Sequence, residues 1–286
     1  MLIREKLPQY FYLLRLHKPI GILLLLWPTL WGLWLATHGH PQPKVAFIFI
    51  AGVILMRSAG CAFNDFADRQ FDLHVQRTQQ RPLATKKIKN WEGLLLAAVL
   101  SFIAFMLVVF NCNLLTIHLA AIGAMLTVIY PFLKRITHLP QLGLGMAFAW
   151  GIPMVFAAET GMITGSAWFL FFAAVIWPVI YDTMYAMVDR QDDLRIGVKS
   201  SAILFGQEDK KIIGLLQIIF LVMLLIVGKI FHLKLSYYGS MLIVGILFLY
   251  QQHLIKNRDT EQCFHAFLNN HWVGFFIFLG IYLSEL

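Results

Sequence analysis

Stretches of about twenty mostly apolar residues recur along this chain, and they leave few folds open to it. Nine can be counted, at roughly 20–37, 45–63, 93–110, 114–133, 141–158, 164–184, 212–231, 235–254 and 267–284; the fifth and ninth are the least apolar. A helix needs about 20 such residues to cross a hydrocarbon core of about 30 Å. Strand-like alternation is absent, which argues against a membrane β-barrel. Only 13% of the residues are charged, well below the roughly 25% of soluble domains, and the mean hydropathy is +0.71. The expectation is an all-α membrane protein. It is a single domain over residues 1–286, with about nine transmembrane helices bundled around a central cavity that carries a polar site at its cytoplasmic side.

The net charge of +8 is accounted for by where the basic residues fall, without a nucleic-acid partner. With the N-terminus on the cytoplasmic side, nineteen of the 23 lysines and arginines lie in cytoplasmic segments; Lys44, Lys229 and Lys234 lie outside and Arg57 within a helix. Such asymmetry orients a membrane protein. The first apolar segment is too long for a signal-peptide core. Before it, within residues 1–17, Ile3, Leu7, Tyr10, Phe11 and Leu14 recur at helical spacing among basic residues, the pattern of a segment lying on the membrane face. The three cysteines, Cys61, Cys112 and Cys263, show neither a disulfide framework nor zinc spacing.

Outer connections are short, whereas two inner ones, 64–92 and 185–211, are long, each opening on acidic residues and continuing with basic ones. Long connections are often functional. The first opens on 64-NDFADRQFD-72, and the second begins within 181-YDTMYAMVDRQDD-193. Residues i, i+4 and i+7 share a helix face. That spacing aligns Asn64, Asp68 and Asp72, with Asp65 beside them, and Asp182, Tyr185, Asp189 and Asp193, with Asp192 adjacent. At an offset of 121, Asp68-Arg-Gln-Phe-Asp72 also matches Asp189-Arg-Gln-Asp-Asp193, a weak internal repeat. A carboxylate inside a membrane costs roughly 2.5–3.5 kcal/mol at the centre and less near the interface, so two such clusters call for cations. Oxygen donors without interleaved His or Cys favour Mg²⁺ over zinc or copper. Two facing clusters suit two Mg²⁺ ions with a diphosphate bridging them, the remaining phosphate oxygens being clamped by Arg77, Arg81, Arg195 and Lys199. Arg57, seven residues before Asn64, shares that helical face at greater depth, where an arginine is a functional candidate. Its expected partner is the first acidic cluster or a carboxylate brought by the substrate.

NDxxDxxxD paired with YDTxYAxxDxxDD resembles the UbiA-type intramembrane prenyltransferases. The likeness extends over 15-RLHKPIGILLLLWPTLWGLWLA-36, 60-GCAFNDFADRQFD-72, 77-RTQQRPLAT-85, 130-YPFLKRITHLPQ-141 and 199-KSSAILFG-206. His17 is a departure, since relatives commonly carry Asp before KPIG. The resemblance implies transfer of a polyprenyl group from polyprenyl diphosphate to the ring carbon beside the hydroxyl of 4-hydroxybenzoate, in ubiquinone biosynthesis at a bacterial inner membrane. It assigns Asn64, Asp68 and Asp72 to one metal motif, Asp189 and Asp193 to another, and Arg135 to a basic residue needed for activity. Tyr185 is expected to orient a carboxylate, and Asp65, Asp182 and Asp192 to line the substrate site. Other acceptors (dihydroxynaphthoate, homogentisate, haem) are the rival within the family. A cation- or proton-coupled transporter is the rival outside it, but it would place its acids near the bilayer midplane on broken helices. Asp209, in the second loop but outside the motif, is expected to be a bystander.

The orientation is directly testable. Reporter fusions at Val75 and Ser200 should read cytoplasmic and a fusion at Thr160 external; a periplasmic signal at either of the first two positions would refute it.

Overall fold

The protein is described here by a computed structural model covering residues 3–286, with side chains from Lys6 onward. Met1 and Leu2, and the side chains of Ile3, Arg4 and Glu5, lie outside the described residues, and with them that end of the expected amphipathic segment. In chain order the helices are α1 (Ile3–Leu13), α2 (Ile20–Ala36), α3 (Pro43–Asp68), α4 (Asn90–Val109), α5 (Leu114–Ile136), α6 (Pro140–Ala149), α7 (Gly151–Thr160), α8 (Gly165–Ile196), α9 (Ser201–Phe205), α10 (Asp209–Ile230), α11 (Leu235–Leu254) and α12 (Thr260–Glu285). Eight segments are long and apolar enough to cross a membrane, counting α6 with α7 as one, and α2 is a ninth, shorter apolar helix. The nine expected spans are therefore present among the described residues. Side-chain caps start several of them: Asn113 accepts from the Thr116 amide for α5, Thr164 from Ala167 for α8 and Asp259 from Gln262 for α12.

Helix boundaries depart from the apolar runs where they matter most. The run at 45–63 continues as helix to Asp68, and the run at 164–184 continues to Ile196. The expected 185–211 loop is thus helical through its first half, because the acids there face protein and basic partners rather than unfolding into water. Asp72, by contrast, does not extend the face of Asn64 and Asp68: α3 ends at Asp68 and Asp72 begins a single 3-10 turn. The long helix α8 stops at Gly197, whose φ of +73° suits a residue without Cβ.

The packed core joins α2, α8, α10, α11 and α12, with Trp31, Trp177, Tyr181, Phe220 and Tyr237 fully buried. Trp31 donates to the Gly274 carbonyl (3.1 Å), while Trp27 and Trp34 pack against Phe275, Phe278 and Tyr282 of α12. A buried amide chain links α10, α11 and α12 through Gln217–Gln251 (3.0 Å) and Gln251–Asn269 (2.9 Å). Polar side chains are a recurrent adhesive between membrane helices, where lipid offers them no partner. Helix α1 buries Leu13 against Ala62, Leu83 and Ile88 and leaves Leu7 and Phe11 exposed, as an interfacial segment should.

Asp209 is no bystander. Its side chain has no solvent exposure, and it receives Arg190 from α8 and Arg258 (Nη2 to Oδ1, 2.8 Å) from the turn before α12. The sequence pattern missed this because both arginines arrive from distant segments. Removing one partner of a buried ion pair costs about 3–5 kcal/mol. Asp209→Asn, expected from sequence to be silent, should instead lower the thermal unfolding temperature in detergent by several degrees; an unchanged transition would refute the clamp.

Candidate active site

At the end of the bundle where α3 and α8 carry their acids, a cavity of about 360 Å³ opens and runs inward between helices α2 to α8, with the start of α12 at its edge. Its mouth is polar, with Arg15, Lys18, Asn64, Asp65, Arg77 and Arg81; its depth is apolar, with Phe49, Phe105, Val108 and Met154 among the walls. Arg57, Asp182 and Tyr185 line the stretch between. Helices α10 and α11 contribute nothing to it, so the cavity belongs to one side of the bundle.

The first acidic cluster is almost completely buried: Asp65, Asp68 and Asp72 are 1%, 2% and 5% exposed. Each is held by a base. Arg15 reaches Asp65 at 2.8 Å, Arg81 lies 3.0 Å from Asp65 and 2.9 Å from Asp72, and Lys134 pairs with Asp68. Burial pushes the Asp72 carboxyl up to about 6; Arg81 opposes the rise, and Asp65 and Asp68 add to it. The second cluster meets the first through the intervening loop. Arg77 grips Asp189 with two hydrogen bonds (2.5 and 3.1 Å), its guanidinium lies 4.4 Å from the Tyr185 ring centroid, and the Gln76 amide donates to Asp192 (3.1 Å). Asp193 lies among Lys134, Arg77, Asp189 and Asp192.

Several expected residues stand elsewhere. Arg195 is 76% exposed and faces only Asp192, and Lys199 donates to the Ile136 carbonyl, so neither joins the cavity as a phosphate clamp. Arg195 stays on the exposed face of the last turn of α8, and the chain after Gly197 carries Lys199 to the end of α5. Arg135 donates to the Ala67 carbonyl (2.8 Å) at the end of α3 and lies over Phe71 and Phe132, which makes it a support for the acidic end rather than a cavity residue. Asp68, Asp72, Asp189, Asp192 and Asp193 do not line the cavity surface, and Asp72 and Asp189 are paired with the cavity bases Arg81 and Arg77. Sequence reasoning passed over Arg15, Lys18 and Lys134. Arg15 and Lys18 sit in the RLHKPIG stretch, and Lys134 in the last turn of α5, where a cation complements the helix dipole. Lys18 has its pKa lowered by burial and by Arg15, Arg77 and Arg81, the mark of a basic cluster with room for an anion.

Among the described residues, no three His, Cys, Asp or Glu side chains converge as a ready metal cage, since basic groups stand where cations would. The donor set nevertheless fits a hard cation. Asp65 Oδ2 and Asp68 Oδ1 are buried oxygens with no hydrogen-bond partner, and every candidate donor is oxygen.

Fold, buried acids and basic mouth together describe an intramembrane enzyme for diphosphate substrates. The UbiA prenyltransferase family matches residues 25–280, and the chain belongs to it. It is 55% identical over 283 residues to a 4-hydroxybenzoate octaprenyltransferase of Coxiella burnetii (strain RSA 331 / Henzerling II), covering 99% of this chain and 98% of that protein. It is 54% identical to one of Hahella chejuensis (strain KCTC 2396), covering 99% and 94%. Among solved structures, the apo UbiA homolog from Aeropyrum pernix K1 gives a TM-score of 0.81 at 22% identity, over 93% of this chain and 98% of that one. The UbiA homolog from Archaeoglobus fulgidus bound to GPP and Mg²⁺ gives 0.73 at 14% identity, over 96% and 99%. At these identities the structural likeness establishes the fold.

Arg77 is the one cavity base with two hydrogen bonds to the second cluster. Charge-assisted hydrogen bonds contribute about 1.5–3 kcal/mol, so Arg77→Gln should weaken binding of inorganic diphosphate by roughly tenfold or more in equilibrium titrations with Mg²⁺. Unchanged affinity would remove Arg77 from the phosphate site.

Proposed function

We propose that the protein transfers a polyprenyl group from polyprenyl diphosphate to the ring carbon ortho to the hydroxyl of 4-hydroxybenzoate, a step of ubiquinone biosynthesis. The observation that carries this reading is the 55% identity, over nearly the whole of both chains, to a relative named as a 4-hydroxybenzoate octaprenyltransferase. A cavity with a cationic mouth and an apolar depth supports it. The protein works as a multi-pass protein of the bacterial inner membrane with its acidic end toward the cytoplasm, supported by the distribution of its basic residues.

Arg15, Lys18, Arg77 and Arg81 receive the diphosphate at the mouth, and the isoprenoid enters the apolar stretch. Asn64, Asp68 and Asp72 would hold one Mg²⁺, and Asp189 and Asp193 a second. When bound, the metal supplies Lewis-acid neutralisation of the leaving diphosphate. The allylic C–O bond breaks with its electron pair on the diphosphate, the ring carbon bonds to the allylic carbon, and the ring proton leaves. Phe49, Phe105 and Phe148 limit water around the developing cation. Tyr185, under the Arg77 guanidinium, keeps that base at the mouth. Asp65 holds Arg15 and Arg81 in place, and Asp182 faces the acceptor. Arg135 steadies the end of α3.

Two experiments test this. Incubation with Mg²⁺, one polyprenyl diphosphate and a panel of aromatic acids, read by mass spectrometry, should give prenylated 4-hydroxybenzoate; turnover of a naphthoate instead would move the protein to another branch. Asp68→Asn and Asp189→Asn should each reduce the chemical step severely at saturating Mg²⁺, and the double variant should lose far less than the product of the two losses. Strictly multiplicative losses would mean that the two clusters do not share one diphosphate.

A further inference from the structure

A second groove, of about 440 Å³, lies between the end of α3, the loop that follows it and the start of α4. It shares no lining residue with the cavity described above. Its floor is apolar: Leu83, Ala84 and Ile88 are buried there, and Leu73 lines it half exposed. Three cations line it as well, Arg69, Lys86 and Lys89. The turn that carries Lys86 is closed by its own backbone, the Lys86 amide donating to the Leu83 carbonyl (3.3 Å) and the Lys87 amide to that of Pro82 (2.9 Å). Arg69 is fixed from the other side, donating to the Phe66 carbonyl (2.7 Å) with its guanidinium 4.6 Å from the Phe66 ring centroid. The three charges are thus held around the groove by the fold.

Among the described residues, no carboxylate oxygen stands within ion-pairing distance of Arg69, Lys86 or Lys89. The neighbouring acids are engaged elsewhere. Asp68 pairs with Lys134 and Asp72 with Arg81, while Glu92, in the first turn of α4, pairs with Lys6 of α1 and accepts from the Lys89 amide (2.8 Å). The groove therefore offers positive charge to an anion from outside. Directly beyond it α4 begins its crossing, and Trp91, Leu94, Leu95 and Phe102 form an exposed stripe at helical spacing. A tryptophan at the start of a spanning helix marks the level of the headgroups. A free anion would use only the basic rim, whereas the apolar floor and the stripe match acyl chains hanging below a charge.

We propose that this groove is a binding site for an anionic phospholipid, its phosphate held by Arg69, Lys86 and Lys89 and its acyl chains laid along the outer face of α4. Basic clusters beside a spanning helix attract such lipids electrostatically; here a shaped pocket fixes one of them in place. Arg69 and Lys89 stand at the two ends of the loop that carries Arg77 and Arg81, so a lipid bridging them fastens that loop at its base.

The test uses the full-length protein in phosphatidylcholine nanodiscs that contain a minor fraction of brominated lipid, either phosphatidylglycerol or phosphatidylcholine. The readout is the part of the tryptophan quenching that Trp91→Phe removes. Brominated phosphatidylglycerol should be enriched beside Trp91 by about tenfold or more over brominated phosphatidylcholine. Lys86→Gln combined with Lys89→Gln should bring that enrichment close to unity. Lys87→Gln removes a neighbouring charge that does not line the groove, and should keep most of it. Millimolar inorganic phosphate should leave the lipid in place. Affinity for inorganic diphosphate should be unchanged in all variants, which also reports an intact fold; were the double variant unfolded, Lys86→Gln alone, expected to cut the enrichment several-fold, decides the matter. Equal quenching by the two lipids in the wild type, or equal losses in Lys87→Gln and the double variant, would overturn the site. Displacement by inorganic phosphate would overturn the lipid as its occupant.

Discussion

Carboxylates sunk into the ends of membrane helices must be matched by cations, and much of this molecule's inner face is arranged by that requirement. Asp65, Asp68 and Asp72 have almost no access to water. Their compensation draws in Arg15 from the segment before α2, Arg81 from the loop after α3, and Lys134 from the end of α5. Arg77 carries the same loop across to Asp189 on α8. On the proposed function, the pairs that close the fold are made from the groups that an anionic substrate and a metal would re-pair, the acids passing to the metal and the bases to phosphate.

Away from that face the polar groups do something different. Gln217, Gln251, Asn269 and Asn270 are neutral, and their hydrogen bonds join neighbouring helices across the packed half of the bundle. Neutral amides avoid most of the charge-burial penalty that the acidic end must offset. The division is spatial. Helices α10, α11 and most of α12 form a packed buttress, and the cavity is left to the helices on the other side.

Much of this was legible in the sequence, for identifiable reasons. The spans are visible because lipid demands about twenty apolar residues for each crossing, and the acids of α8 keep their helical spacing because that helix continues past the apolar run. Asp72 was misplaced because a helix end leaves no mark in an i, i+4, i+7 pattern; what returns Asp72 to the cluster is Arg81, nine residues on. Arg195 and Lys199 stand near the acids in sequence, yet Arg195 points to solvent from the last turn of α8 and the αL turn at Gly197 redirects the chain before Lys199. Arg15, Lys18 and Lys134 carried no motif of their own. Asp209 looked idle because its partners lie 19 and 49 residues away. Local periodicity reports faces; ion pairs between distant segments it does not report.

The length of α8 places a constraint of another sort on the protein. Thirty-two residues make a rod of about 48 Å, against a hydrocarbon core of about 30 Å. Some twelve residues' worth of that rod, about 18 Å by the same rise, must stand clear of the acyl chains, and its acidic turns form one end of it. The rod carries Pro178 near its middle, so thickening of the bilayer is met by bending there, by tilting the helix or by drawing the acidic turns toward hydrocarbon. Membrane thickness thereby bears on where those acidic turns stand relative to the acyl chains, and so on the site itself as well as on solubility.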